Sequence, residues 1–365
     1  MTPSPFPQCS RMHASLVLRI ALTLCLSALT WSVAMAQPRS WTPIGPDSAT
    51  VLTAAHQPSD GSVMLAGTYF GGLYRSTNWG YTWTPVDGGF ASAAVFALQF
   101  DDRLPGRVFA GLFKDGVWRS DDAGLTWQHL PTGLTDGTVQ ALAIDPGASL
   151  HVLAATASGL FSSSNAGALW TPVASLSGVI TRTIVFHPSI ADLAYVGSVG
   201  QGVFRSVDGG RTWSAFSGGR QLNTVNALTF DSQGNLYAGT DAGVYQLAAG
   251  SSAWADLSFD LPANVTIVHL AAHPTVPNLL IAATSVGTYV ISNWAAVPKW
   301  FLWNIEGSRY IALDNKGLIV HIAAQIGALR ASTDFGSTWV KADRGIQSAF
   351  VGALPPGALP AGGDC

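Results

Sequence analysis

The chain has 365 residues and is 48% apolar but only 11% charged, with 18 Lys and Arg against 21 Asp and Glu for a formal net charge of −3. That balance leaves no basic run for nucleic acid and no basic amphipathic stretch for a membrane surface. High apolar content with few charges suits sheets covered on both faces, whose strands read as apolar runs.

Taken in order, Arg11 and Arg19 precede an apolar run from Ile20 to Val33, followed by Ala34-Met35-Ala36. This is the pattern of a secretory signal peptide over residues 1–36, with the mature chain starting at Gln37 and bound for a bacterial periplasm or the exterior. The run is too short for a transmembrane helix, so no membrane span is expected in the mature chain. Cys9 and Cys25 would leave with the peptide. Cys365 alone remains, so the exported domain must rely on its core and not on internal disulfides.

Residues 37–345 are organised by a repeated eight-residue stretch. Ser206-Val207-Asp208-Gly209-Gly210-Arg211-Thr212-Trp213 recurs as Ser120 to Trp127 and Ser332 to Trp339. It recurs with Asn78 for Asp at Ser76 to Trp83, and with Asn165 and Leu169 at Ser163 to Trp170. The glycines fall at 80, 124, 167, 210 and 336, in steps of 44, 43, 43 and 126, the last being three times 42. Such a period marks a repeat architecture. Asp or Asn at the third position makes the turn through its side-chain oxygen, and Gly at the fifth supplies a positive φ. Thr and Trp open a strand. The structural set is therefore Asn78, Gly80, Trp83; Asp122, Gly124, Trp127; Asn165, Gly167, Trp170; Asp208, Gly210, Trp213; and Asp334, Gly336, Trp339.

Each unit carries four short strands. The innermost reads like Val95 to Phe100 or Val225 to Phe230; the second ends in a small-residue signature such as Leu65-Ala66-Gly67-Thr68; the third leads into the turn, and a short outermost strand follows the Trp. Two units between Gly210 and Gly336 keep the strands without the turn motif. The count gives an all-β, seven-bladed β-propeller of four-stranded antiparallel blades. Trp41-Thr42-Pro43 or the strand at Trp339 should close the ring. Gln347 to Leu354 reads as an unpartnered innermost strand, and residues 346–365 as a Pro/Gly/Ala-rich tail, either truncated or disordered.

These repeats are Asp boxes, and over residues 41–345 the chain resembles the Asp-box (BNR) β-propeller superfamily. In character it is closer to photosystem II assembly-factor and sortilin-type propellers than to true sialidases. The resemblance implies a binding or assembly platform whose partner is another envelope or secreted protein, or a polysaccharide. Sialidases carry an Arg-Ile-Pro motif that is absent here. Xyloglucan-degrading relatives carry Thr-Asp-x-Gly-Gly-x-Tyr-Arg with a catalytic Asp; this chain reads Thr68-Tyr69-Phe70-Gly71-Gly72-Leu73-Tyr74-Arg75, with Tyr69 in the Asp position.

Function is expected on the loops opposite the Asp boxes. Candidates are Tyr69, Lys114, Asp115, Gln201 and Asp241 between second and third strands, and Asp87, Asp136, Arg220, Asp260, Glu306, Arg309 and Arg344 between blades. Arg75, Arg119, Arg205 and Arg330 are read as one register of the third strand. Of these, Arg75, Arg119 and Arg330 sit in adjoining blades and suit carboxylates on a partner. No catalytic residue is assigned; a hydrolase would need a carboxyl pair drawn from Asp241, Asp260 and Glu306. His187 and His273 precede proline and read as turn residues. No spacing fits a metal site, and no cofactor motif is present.

Overall fold

The computed structural model describes residues 49–292, 299–304, 307–324, 329–334 and 336–346. They form seven separate four-stranded antiparallel sheets, each built from one continuous stretch of chain: residues 51–85, 95–129, 139–172, 181–215, 225–256, 267–304 and 308–341. In every sheet the strands lie in chain order from the axis outward. Neighbouring innermost strands touch all the way round, including that of blade 7 (Ser308–Leu313) against that of blade 1 (Val51–His56). The molecule is a seven-bladed β-propeller, as the period demanded.

Burial explains the composition. The second strands, such as Met64–Thr68, Val108–Leu112 and Leu236–Thr240, are buried at every position. Each is sandwiched between two blades, so no polar alternation survives. The small-residue signature has a steric cause. A Cβ added at Gly67 would lie 2.7 Å from Val95 Cβ, and at Gly239 it would lie 2.5 Å from Ile267. The glycine lets the next blade's innermost strand close in.

The box hairpins are closed by local hydrogen bonds. Ser206 Oγ accepts from Gly210 N (2.8 Å) and donates to Asp208 Oδ1 (2.7 Å). Asp208 Oδ1 also accepts from Arg211 N and Thr212 N, and Thr212 Oγ1 donates to Oδ2 at 2.5 Å. Burial opposes the charge on Asp208, but these donors outweigh it and hold the carboxyl down at about 2. Asn78 does the same work with a different atom: Oδ1 accepts from Thr82 N while Nδ2 donates to Thr82 Oγ1.

The box tryptophans in blades 1 and 3 reach back to the preceding blade. Trp170 Nε1 donates to Leu130 O at 3.2 Å, and Trp83 Nε1 donates to Ala342 O at 2.7 Å. The second bond, with Trp83 N to Arg344 O (2.8 Å), ties blade 1 to blade 7. Blade 7 is completed by its own Val340–Lys341, which pairs with Leu329–Ser332. Of the two closing strands the sequence allowed, the one after Trp339 therefore does this. Residues 1–36, Trp41-Thr42-Pro43, Glu306 and 347–365 lie outside the described residues.

Candidate functional site

All seven innermost strands break register against their partners at the same place. The ladder skips from Val51 to Thr53, Val95 to Ala97, Thr181 to Thr183, Val225 to Ala227, Ile267 to His269 and Ser308 to Tyr310. In blade 3 it skips from Val139 to Ala141. A bulge leaves one residue unpaired and re-aims its side chain. The skipped residues are Leu52, Phe96, Gln140, Arg182, Asn226, Val268 and Arg309. All seven line an axial cavity of about 660 Å³, each followed on the wall by the next residue of its strand.

The mouth of this cavity has two unlike halves. On one side Arg182 Nη1 donates to Asn226 Oδ1 at 2.6 Å. Asn226 Nδ2 in turn donates to Asp241 Oδ1 (2.7 Å) and Ile267 O (3.0 Å). Asn226 is thereby fixed on both sides, with its amide oxygen turned to the guanidinium. Arg182 itself is exposed.

The other half is aromatic. Phe96 lies 5.8 Å from Phe113, Phe113 lies 6.1 Å from Phe70, and Phe70 lies 4.5 Å from Tyr69, all edge-to-face. Lys114 Nζ sits 5.0 Å from the Phe113 ring centre. Phe70 and Phe113 come from five-residue loops closed by Thr68 N to Gly72 O and Leu112 N to Gly116 O. Blade 4 has the same loop, closed by Ser198 N to Gly202 O. Its central residue is Gly200 at φ 79°, where blades 1 and 2 hold Phe70 at 58° and Lys114 at 62°. A bulky residue in this region costs about 1–3 kcal/mol, and such strain concentrates at working sites. Tyr69 is 51% exposed.

Below the mouth, His269 and Tyr310 stack in the wall with centroids 4.0 Å apart. Burial pushes His269 down to about 4 and Tyr310 up, so both rings are uncharged at ordinary pH.

The arginine register needs correction. Arg75 and Arg119 do share a position, each directly before the box serine, but both are spent between blades. Arg75 Nε donates to Ala123 O (2.9 Å) and Arg119 Nη1 to Ala166 O (3.0 Å), each in the next blade's box; Arg119 Nε also pairs with Asp121 at 3.0 Å. They are clasps, not a free stripe. Arg330 stands two residues before Ser332 and pairs with Ile322, whereas Arg75 pairs with Leu65 directly before Ser76. One residue of offset turns a strand side chain to the opposite face, so Arg330 does not extend the set.

The remaining candidates divide. Tyr69 and Lys114 belong to the aromatic side, and Asp241 and Arg309 line the cavity. Asp115 is committed to Trp118 Nε1 at 3.0 Å. Asp136 accepts from Thr138 N in its own loop and from Ser158 N in the loop between the second and third strands of blade 3, and Arg220 pairs with Asp256 at 3.2 Å. Asp260, at φ 62°, is not among the cavity residues, and Glu306 lies outside the described residues. The carboxyl pair is thus reduced, among the described lining residues, to Asp241 alone. Among the described residues no group of three or more His, Cys, Asp or Glu could hold a metal ion. Phe70, Phe96, Phe113, Arg182 and Asn226 escaped sequence reasoning, which looked for function in charged loop residues.

No family model matches the sequence, and no curated protein matches it. Solved structures do. A GH74 xyloglucanase from Xanthomonas campestris superposes with a TM-score of 0.71 at 18% identity, over 84% of this chain and 56% of that one. The extracellular domain of the hybrid two-component system BT3049 from B. thetaiotaomicron gives 0.61 at 16%, over 80% and 41%. YCF48 bound to a D1 peptide gives 0.57 at 16%, over 79% of this chain and 95% of that one. The chain spans about half the length of the GH74 enzymes it matches. At these identities the likeness establishes the β-propeller fold. No helix among the described residues is long and apolar enough to cross a membrane.

Proposed function

We propose that this chain is an exported, non-enzymatic β-propeller that serves as a platform for another envelope or secreted protein, holding a segment of it at the cavity mouth. The observation that carries this reading is the composition of the mouth. Two arginines and an aromatic cluster accompany a single described carboxylate, Asp241, whose Oδ1 is occupied by Asn226. Glycoside hydrolysis needs two carboxyl groups about 5–10 Å apart, whereas aromatic anchors beside arginine are what protein interfaces favour. YCF48, a neighbour of similar extent, is seen with a peptide bound.

The test is affinity capture from the native cell envelope after brief crosslinking. The tagged mature chain is compared with a Phe96→Ala/Arg182→Gln double variant. A protein recovered with the first and lost with the second supports the platform. Equal recovery by both moves the interface elsewhere.

A second reading, a carbohydrate-active propeller, is favoured by the match to GH74 enzymes, one of them a xyloglucanase. Release of reducing ends from a polysaccharide panel, abolished by Asp241→Asn with folding intact, would establish it.

A further inference from the structure

We infer that the segment bound at the mouth is an extended polypeptide bearing an aromatic side chain close to a carboxylate. This rests on the platform reading above and specifies its ligand. The two halves of the mouth ask for two different groups. Phe70, Phe96 and Phe113 present ring edges and faces within 4.5–6.1 Å of one another or of Tyr69. A further ring can join such a cluster in the offset or edge-on geometry that aromatic pairs adopt.

Two to three blades round the ring from this cluster, blade 4 presents Arg182 against Asn226 of blade 5. One of its five donors is used on Asn226, and among the described residues no carboxylate is paired with it within 4 Å. Asn226, itself fixed by Asp241 and Ile267 O, anchors one arm of that guanidinium, which restricts its remaining donors before any ligand arrives. A planar, fixed fork suits a carboxylate in bidentate contact. Lys114, exposed beside Phe113, adds a second positive charge on the aromatic side. With Arg182, Arg309 and Lys114 against Asp241 and Asp115, the mouth keeps a cationic excess around an aromatic wall, and the complementary ligand is acidic around an aromatic residue. The strained φ of Phe70 and Lys114 points the same way: blade 4 fills that position with glycine, while these two blades retain the side chains.

Polypeptide is favoured over polysaccharide because one short extended segment carries both groups on neighbouring residues. It also offers backbone amides to Gln140 and to the exposed loop edges.

The experiment is selection of a displayed library of random dodecapeptides on the folded mature protein, with counter-selection on the Phe96→Ala/Arg182→Gln variant. The expected result is enrichment of sequences with Trp, Tyr or Phe within three residues of Asp or Glu. A resynthesised winner should bind Arg182→Gln about tenfold more weakly than the unaltered protein, the loss of one charge-assisted contact. The same peptide with its acid changed to amide should bind both proteins within about twofold of each other. Winners made with free and with amidated ends separate a side-chain carboxylate from a chain terminus. Enrichment of apolar or basic sequences without acids overturns this inference and leaves the platform standing. No enrichment over the counter-selecting variant overturns both.

Discussion

His56 and His321 face one another across the seam where blade 7 meets blade 1, their ring centroids 5.1 Å apart. Each has one nitrogen bound to a carbonyl: His56 Nδ1 to Gly61 O at 2.9 Å and His321 Nε2 to Trp79 O at 3.1 Å. A carbonyl only accepts, so these nitrogens carry the protons, and among the described residues the other nitrogen of each ring is buried with no donor. Neither ring gains a charge cheaply at this joint.

The seam should therefore weaken in acid. Burial, aided by His56, pushes His321 down to about 3, and burial lowers His56 against the opposing pull of Gly61 O and Asp314. Between the unfolded value near 6.5 and the folded one, the unfolded chain binds a proton that the folded chain does not. Stability then falls as pH falls, by up to about 1.4 kcal/mol per pH unit for each such histidine. Urea unfolding midpoints from pH 7.5 to 4.5 should show this slope. His321→Gln, which keeps a donor for Trp79 O, should flatten it. An equal slope in the variant would assign the acid sensitivity elsewhere.

Trp83 supplies the other half of the joint. Trp83→Phe removes the Nε1 bond to Ala342 O but keeps a ring in the cluster with Leu329, Ala331 and Ile346. A cost of about 1–2 kcal/mol is expected from a lost buried hydrogen bond with its acceptor stranded. Trp127→Phe should cost about half that, because Trp127 Nε1 bonds only to Gly124 O inside its own box and is half-exposed. Denaturant titrations of both variants give the comparison.

Asp208 is a turn-maker, and its neighbour in blade 1 predicts how it tolerates change. Asp208→Asn should cost less than about 1 kcal/mol, since Asn can accept from Thr212 N and donate to Thr212 Oγ1 as Asn78 does with Thr82. Asp208→Ala strips four donors of their acceptor and should cost about 2–3 kcal/mol. Binding at the mouth should be unchanged in both. A loss of ligand affinity in a stably folded Asp208→Asn protein would give this carboxylate a role beyond the turn.

Phe70→Gly separates stability from recognition. Glycine relieves the positive φ, worth about 1–3 kcal/mol, against an entropy cost of about 0.5–1 kcal/mol and the loss of half-exposed ring contacts. The expected outcome is a thermal midpoint at or above that of the unaltered protein, with weaker capture of the mouth ligand. Lower stability together with intact binding would mark Phe70 as a scaffold residue.

How much was legible from sequence follows from how far each interaction reaches. The box hairpin closes within eight residues, so Ser206, Asp208, Gly210 and Thr212 announced it through side-chain chemistry alone. The second strands announced themselves as apolar runs because both their faces are covered. Arg75 and Arg119 misled because their partners, Ala123 and Ala166, lie 48 and 47 residues away, in the next repeat. A cation at a repeating register looked like a surface stripe when it was an inter-blade clasp. Arg182 and Phe96 were hidden for a different reason. They lie within strands, and only a register break turns them from the ladder to the axis. Comparing the second residue of each innermost strand across the seven repeats would have exposed them, since that column mixes Leu, Phe, Gln, Arg, Asn and Val, whereas the residue before it is Val, Ile, Thr or Ser in every repeat.

The seven bulges have a consequence for how such a molecule can change. Each contributes one residue to the axis that takes no part in the paired ladder. Positions 52, 96, 140, 182, 226, 268 and 309 can be rewritten singly, like the wards of a lock, while the blades that carry them keep their own internal bonding. A lineage holding this framework can move from one ligand to another by a handful of exchanges in one column, and a library randomised there would sample new specificities on an unaltered body.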